Sequence, residues 1–207
     1  MTKETGKGAR VVYDRFASGY DRAMRPLERW FLSRLRGRTL ATLPEGSRIL
    51  EVGAGTGLNF PYYPRDVALG VASELSREML RIASGKHERP ERVRLVQSSA
   101  ERLPFPEDSF DAAVATLVFC SVASPRQAFS ELRRVVRPGG TIALLEHVRP
   151  DGWLPGLLFD ALSVITVALF DDHFNRRTAD EARRAGLRTV RVERSFFGII
   201  QLIECRV

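Results

Sequence analysis

A short apolar strand that runs straight into a glycine-rich turn, ILEVGAGTGLN from Ile49 to Asn59, constrains this chain more than any other feature. Glycines at 53, 55 and 57 let the backbone turn sharply and approach a ligand where a side chain would collide. The helix expected after the turn should point its N-terminus into the same crevice. Dinucleotide enzymes use a related turn, and spacing separates the two cases. Here the third glycine comes one residue early for GxGxxG, and an acid, Glu51, precedes the turn. A carboxylate there can hold a positively charged amino group, which an amino-acid-bearing ligand has and a pyrophosphate lacks.

From Arg48 onward, short β-branched runs alternate with longer amphipathic stretches, the pattern of a sheet covered by helices on both faces. Expected strands are Arg48–Val52, Val67–Ala72, Val93–Gln97, Phe110–Ala115 and Thr141–Glu146, each short and apolar as strands buried on both faces must be. Expected helices are Ser76–Lys86, Pro125–Val136 stopped by Pro-Gly-Gly, and Thr178–Ala185 stopped by Gly186. Arg188–Arg194 and Ile199–Arg206 read as a closing hairpin joined through Ser-Phe-Phe-Gly. The predicted fold is α/β: a Rossmann-like, doubly wound, seven-stranded sheet, mostly parallel, with an antiparallel C-terminal strand and N-terminal lid helices.

A chain of 207 residues, 44% hydrophobic and 28% charged, suits one globular domain. We divide it into a basic helical lid (1–44), a ligand-binding core (45–150), and acceptor-side helices with the hairpin (151–207). The lid reads as helical from Arg10 to Leu43, with Pro26 in the first turn of a second helix. Residues 1–48 hold eleven Lys or Arg against five Asp or Glu, a charge of +6 suited to an anionic membrane surface. No stacking aromatics on a basic strand and no reader motif point to nucleic acid. Cys120 and Cys205 stand in hydrophobic contexts without Cys or His at metal-ligand spacing, so buried thiols and no metal are expected. The opening MTKETGKGAR lacks the apolar core of a secretory signal, so a reducing cytoplasm is the expected location. The run Trp153–Phe170 contains Pro155, Gly156 and Asp160 and reads as an interfacial or core helix rather than a span.

Two further signals flank the crevice. Glu74 ends the second strand where ribose hydroxyls would lie. Ser99, Ala100 and Glu101, in SSAERLPFPEDSFDAAV, leave the third strand where an adenine would sit. Together with the glycine turn, these segments resemble the class I S-adenosylmethionine-dependent methyltransferases over roughly residues 45 to 150. The resemblance implies S-adenosylmethionine as methyl donor. It puts Glu51, Gly53, Ala54, Gly55 and Gly57 at the methionine and ribose portion, Glu74 with Leu75 at the ribose hydroxyls, Ser99, Ala100 and Glu101 at the adenine, and Thr116 and Tyr20 nearby. Ser99 stands where many relatives have an Asp that binds the adenine amino group. Either its hydroxyl or the Glu101 carboxylate is left for that role.

YDRFASGYD, with Tyr13 and Tyr20 two helical turns apart on one face, resembles the opening of quinone-ring methyltransferases and soluble bacterial phosphatidylethanolamine N-methyltransferases. Aromatic faces there can stabilise sulfonium or methylated ammonium, or simply pack the lid. TLVFCSV, LLEHV and DDHFNRRT look like the phospholipid methyltransferases and the related thiol methyltransferases. That likeness implies an acceptor near His147, a phosphate near His173, Asn175 and Arg176, and a general base among His147, Tyr13 and bulk water. It suggests phosphatidylethanolamine and its methylated intermediates as acceptor, on a peripheral protein of the inner membrane face. A quinone ring carbon or a small thiol would use the same pocket.

Overall fold

The computed structural model describes residues 7–150, 153, 156, 157, 159, 160, 163, 173 and 175–207. Seven strands form one sheet: β1 (Arg48–Val52), β2 (Leu69–Glu74), β3 (Val93–Gln97), β4 (Phe110–Thr116), β5 (Val136–His147), β6 (Arg188–Ser195) and β7 (Ile200–Arg206). Their order is β3-β2-β1-β4-β5-β7-β6. β7 runs antiparallel to both β5 and β6, and the other six strands run one way. The fold class is therefore the one expected, antiparallel C-terminal strand included.

Alternation along β1 shows why the sheet needs cover on both sides. Ile49 and Leu50 point to opposite faces, and both are 0% exposed. Leu50 and Val52 join Phe129, Leu132 and Ile142 on the face of α4 (Pro125–Val135), while Ile49 joins Leu40, Ala72 and Val114 on the other face. Cys120 and Cys205 are buried thiols, as composition implied.

Several boundaries moved for physical reasons. β2 begins at Leu69 and continues through Ser73 and Glu74, which pair with Val96 and Gln97 of β3. Hydrophobicity alone bounded this strand at Val67–Ala72, whereas the ladder carries it through Ser73 to Glu74, the acid expected at its end. Val67 instead lies in the lead-in turn, buried among the core residues. α4 stops at Val135 without a left-handed cap, because Val136 is already extended. Pro-Gly-Gly then forms a bulge: pairing jumps from Phe110–Val136 to Ala112–Thr141. A Cβ on Gly140 would stand 2.8 Å from the Asp111 carbonyl, which explains the glycine. Gly186 behaves as expected. It adopts φ +87 after α5 (Thr178–Arg184), and its N–H with that of Leu187 closes a Schellman motif on Arg183 and Ala182.

The lid is one broken helix rather than two. α1 spans Lys7–Leu27 and contains Pro26 near its C-terminal end, not in the first turn of a following helix. A π-helical turn, Glu28–Leu32, then leads into α2 (Ser33–Leu40). Proline removes one i to i−4 hydrogen bond, and a wider turn beside it accommodates the break without ending the helix. Of the Trp153–Phe170 run, 154, 155, 158, 161, 162 and 164–170 lie outside the described residues. Among the described residues no helix is long and apolar enough to cross a membrane.

Candidate active site

At the carboxyl edge of the parallel strands the chain leaves β1 through three left-handed glycines, Gly53 (φ +67), Gly55 (φ +57) and Gly57 (φ +82). Their reasons differ. A Cβ on Gly53 would meet Val118 at 2.4 Å, and one on Gly57 would meet the Phe60 ring at 2.3 Å, whereas one on Gly55 would meet nothing within 4 Å. Gly55 alone faces open space, the cradle a ligand would fill. The helix expected after the turn is absent. Asn59-Phe60-Pro61-Tyr62-Tyr63-Pro64 forms only a 3-10 turn, Phe60–Tyr62, because two prolines three residues apart cannot sit inside a helix. Main-chain N–H groups of the turn are bonded within the fold, Ala54 to the Ser73 carbonyl, Gly57 to the Ala54 carbonyl and Gly55 to the Glu74 carboxylate.

Glu74 shows how they are used. Its carboxylate accepts the Gly55 N–H at 2.9 Å and the Ser76 N–H at 2.8 Å, tying the end of β2 to the glycine turn and to α3 (Arg77–Ser84), which Ser76 caps. Burial pushes the Glu74 carboxyl above its ordinary value, and the Ser76 and Gly55 N–H groups hold it back.

These residues open onto a cleft with about 880 Å³ of empty space. Tyr13, Tyr20, Gly53, Ala54, Gly55, Glu74, Leu75, Ser99, Ala100, Glu101 and Thr116 all line it, so sequence positions spread over a hundred residues converge. Glu101 is 8% exposed; its Oε1 accepts the Ser124 N–H at 2.6 Å, while its Oε2 is buried without a hydrogen-bond partner among the described residues. A buried carboxylate oxygen left in this state calls for a donor from a ligand. α1 covers the cleft by hydrogen bonds to its rim: Asp14 accepts from Ser76 Oγ at 2.6 Å, and Asp21 pairs with Lys86 at 2.8 Å. Burial pushes the Tyr20 hydroxyl up to about 12, so this lid tyrosine is a neutral phenol.

Two expected ligand residues lie elsewhere. Gly57 does not line the cleft; it makes room for Phe60. The Glu51 carboxylate is 1% exposed and accepts from Asn59 Nδ2 and Tyr63 Oη, each at 2.7 Å. Burial raises its affinity for a proton, and those two bonds lower it. On the acceptor side, His147 ends β5 outside the cleft lining. Arg176 donates to the Phe119 carbonyl at 2.6 Å, Asn175 accepts from Ser163 Oγ at 3.1 Å, and the His173 N–H bonds the Cys120 carbonyl. Those three belong to the segment after β5 rather than to the cleft wall.

Sequence reasoning missed Arg36. Its guanidinium, 3% exposed, spans Glu28 (3.0 and 2.9 Å), Asn59 Oδ1 (2.9 Å) and Thr116 Oγ1 (2.6 Å) and still lines the cleft. In sequence it is one arginine of SRLRGR, indistinguishable from its solvated neighbours. Leu117, with φ +57, and Val118 were also missed; Val118 and Phe119 donate their N–H groups to Glu146.

Comparison with known proteins fits this geometry. Residues 50–144 match the family described as "Methyltransferase domain". These residues form a class I methyltransferase domain. The chain is 33% identical over 156 residues to a demethylmenaquinone methyltransferase of Clavibacter sepedonicus, covering 72% of this chain and 62% of that protein. It is 40% identical over 120 residues to a phosphatidylethanolamine N-methyltransferase of Cereibacter sphaeroides, covering 56% and 59%. A human thiol S-methyltransferase is 36% identical over 132 residues, covering 62% and 53%. The chain thus spans between 53% and 62% of these three relatives' lengths. The putative methyltransferase bound to the Haloferax volcanii Trm112 activator shares the fold at TM-score 0.75 and 18% identity, with 94% of this chain and 96% of that one covered. A Thermotoga maritima methyltransferase, described as a possible histamine N-methyltransferase, does so at 0.70 and 23%, with 95% and 98% covered.

Proposed function

We propose that this domain transfers a methyl group from S-adenosylmethionine to the amino group of phosphatidylethanolamine and of its methylated intermediates, giving phosphatidylcholine. The observation that carries the donor half is the cleft itself: a bare glycine backbone at Gly55, the Glu74 carboxylate beside it, and an unpartnered Glu101 oxygen at the far end. Glu74 fits two ribose hydroxyls, Glu101 Oε2 fits the adenine amino group, and Arg36 supplies positive charge for a carboxylate tail. Ser99 contributes a hydroxyl where relatives carry an acid, which leaves Glu101 the stronger acceptor.

When bound, the sulfonium supplies an already activated methyl group. The chain's residues then position and exclude water. Tyr13 and Tyr20 close the cleft from α1 with aromatic faces suited to a cation. Holding the acceptor lone pair in line with the carbon–sulfur bond supplies about 7 to 11 kcal/mol of the rate enhancement. The acceptor ammonium must first lose a proton to His147, Tyr13 or water, which exposes the nitrogen lone pair; the nitrogen–carbon bond would then form as the carbon–sulfur bond breaks and the donor leaves as a neutral thioether. Support for the phospholipid acceptor comes from the 40% identity to the Cereibacter enzyme together with the basic lid. The same reading makes the protein a peripheral membrane enzyme. The quinone relatives cover more of this chain, which keeps C-methylation of a quinone precursor as the second reading.

Incubation with labelled donor and separate panels of phosphatidylethanolamine vesicles, demethylated quinones and thiols tests the acceptor. Label should enter the lipid. Label confined to a quinone or thiol rejects the phospholipid and keeps the methyl transfer.

A further inference from the structure

The turn joining β6 to β7 is unusual in chemistry and conformation. Phe196 (φ +51) and Phe197 (φ +56) both occupy the left-handed region, followed by Gly198 (φ +85), and the Gly198 N–H closes the turn on the Ser195 carbonyl at 3.1 Å. Tight hairpins that need two consecutive positive φ values favour Asn and Gly, because a Cβ there crowds the following carbonyl. Two phenylalanines add strain, and Phe197 recovers nothing by packing, since it is 99% exposed. Strain at an exposed apolar side chain points to something outside the fold that covers it.

The surroundings say what. Phe196 packs on Phe31 with ring centroids 4.3 Å apart, which pins the turn to the π-helical segment of the lid. The residue before Phe31 is Trp30, 87% exposed, and Leu27 is 44% exposed. Arg25, Arg29 and Arg34 punctuate this segment on the exposed surface. Arg194 lines a second concavity with Arg149, Arg177 and Arg183; Asp180 also lines it, and Asp160 pairs with Arg149. β6 runs parallel to β1, so the turn projects from the same sheet edge as the glycine turn and the cleft.

We infer that the Phe196–Phe197 turn and Trp30 are the membrane-inserting tip of the protein, docking it on an anionic phospholipid bilayer with the flanking arginines at the headgroups. Aromatic rings rest at the level where acyl chains meet headgroups, and arginines beside them gain from the negative surface potential. This inference rests on the phospholipid reading above, since it brings the cleft edge to the surface where that acceptor resides.

The test is flotation with vesicles of phosphatidylglycerol and phosphatidylethanolamine, beside vesicles of phosphatidylcholine alone. The intact protein should float with the anionic vesicles and be released by high salt. Phe197→Asn should weaken binding about tenfold, and Trp30→Gln with Phe197→Asn further. Because Asn tolerates the left-handed region, Phe197→Asn should melt at the same temperature as the parent or higher. Equal binding by parent and variants overturns the proposal, as does a lower melting temperature for Phe197→Asn, which would make the ring structural. Failure of the parent to bind any vesicle also overturns it and points to a protein partner. Flotation involves no methyl transfer, so these failures are distinct from absence of label in lipid, which strikes only the acceptor reading.

Discussion

The carboxylate of Glu74 reaches across the mouth of the cleft to accept the Gly55 N–H at 2.9 Å, joining the ends of two neighbouring parallel strands. The contact fixes the acid at the cleft wall and holds Gly55 beside it.

Gly55 and Gly57 should therefore fail differently. Gly55→Val fills open space in the cleft at a left-handed position. It should cost about 1 to 2 kcal/mol of stability and reduce donor binding by roughly a hundredfold or more in titration calorimetry. Gly57→Ala drives a Cβ into the Phe60 ring, so the melting temperature should fall more than for Gly55→Val. Equal donor affinity in Gly55→Val and the parent would remove the glycine turn from the site.

Glu101 separates two hydrogen-bonding roles. Glu101→Gln can keep the acceptor that caps Ser124 but turns a donor toward the cleft. Donor affinity should drop about tenfold with little change in thermal stability. A change in stability without a change in affinity would make Glu101 only a cap for α4.

Arg36 ties the lid to the floor. Arg36→Met leaves Glu28 without its closest cation and Asn59 Oδ1 without its donor, and should destabilise the fold by roughly 3 kcal/mol in urea denaturation. Glu28 keeps some solvent contact, so Glu28→Gln should cost less.

Glu51 and Glu74 set a pH dependence of definite sign. Both carboxyls are raised above 4.5 by burial, so between pH 4.5 and their raised values the folded protein binds more protons than the unfolded chain. Stability contributed by these groups is full below 4.5 and is lost as pH rises through that window, by at most about 1.4 kcal/mol per pH unit for each proton. Asp111 and Glu131, lowered by Arg48 and Arg134, act the other way and only below their ordinary values. Glu51→Gln should flatten the decline in unfolding free energy above pH 4.5. An unchanged slope would show that Glu51 ionises normally.

Much of the fold was legible in the sequence because buried strands and capped helices leave local marks. β1, β3 and α5 fell close to their expected bounds, and the glycine turn announced the cleft. Misreadings occurred where a distant partner outweighed the local pattern. Ser73 is a strand residue because Val52 and Val96 flank it, and Glu74 because Gln97 pairs with it. Pro-Gly-Gly is a bulge because β4 already runs beside it. Pro26 is carried within the lid by a π-helical turn that lets the helix continue.

By itself, the order of residues determined the α/β architecture, the antiparallel last strand and most of the cleft lining, since these follow from periodicity, glycine placement and chain direction. Tertiary structure alone decided which acids line the cleft and which are spent inside. Glu51, one residue before the end of β1, and Glu74, at the end of β2, look alike in sequence, but Asn59 and Tyr63 donate to the first while the main-chain N–H groups of Gly55 and Ser76 meet the second. Arg36 was chosen from a run of arginines in the same way. Burial and hydrogen-bond partners come from segments far apart in the chain, and no local pattern records them.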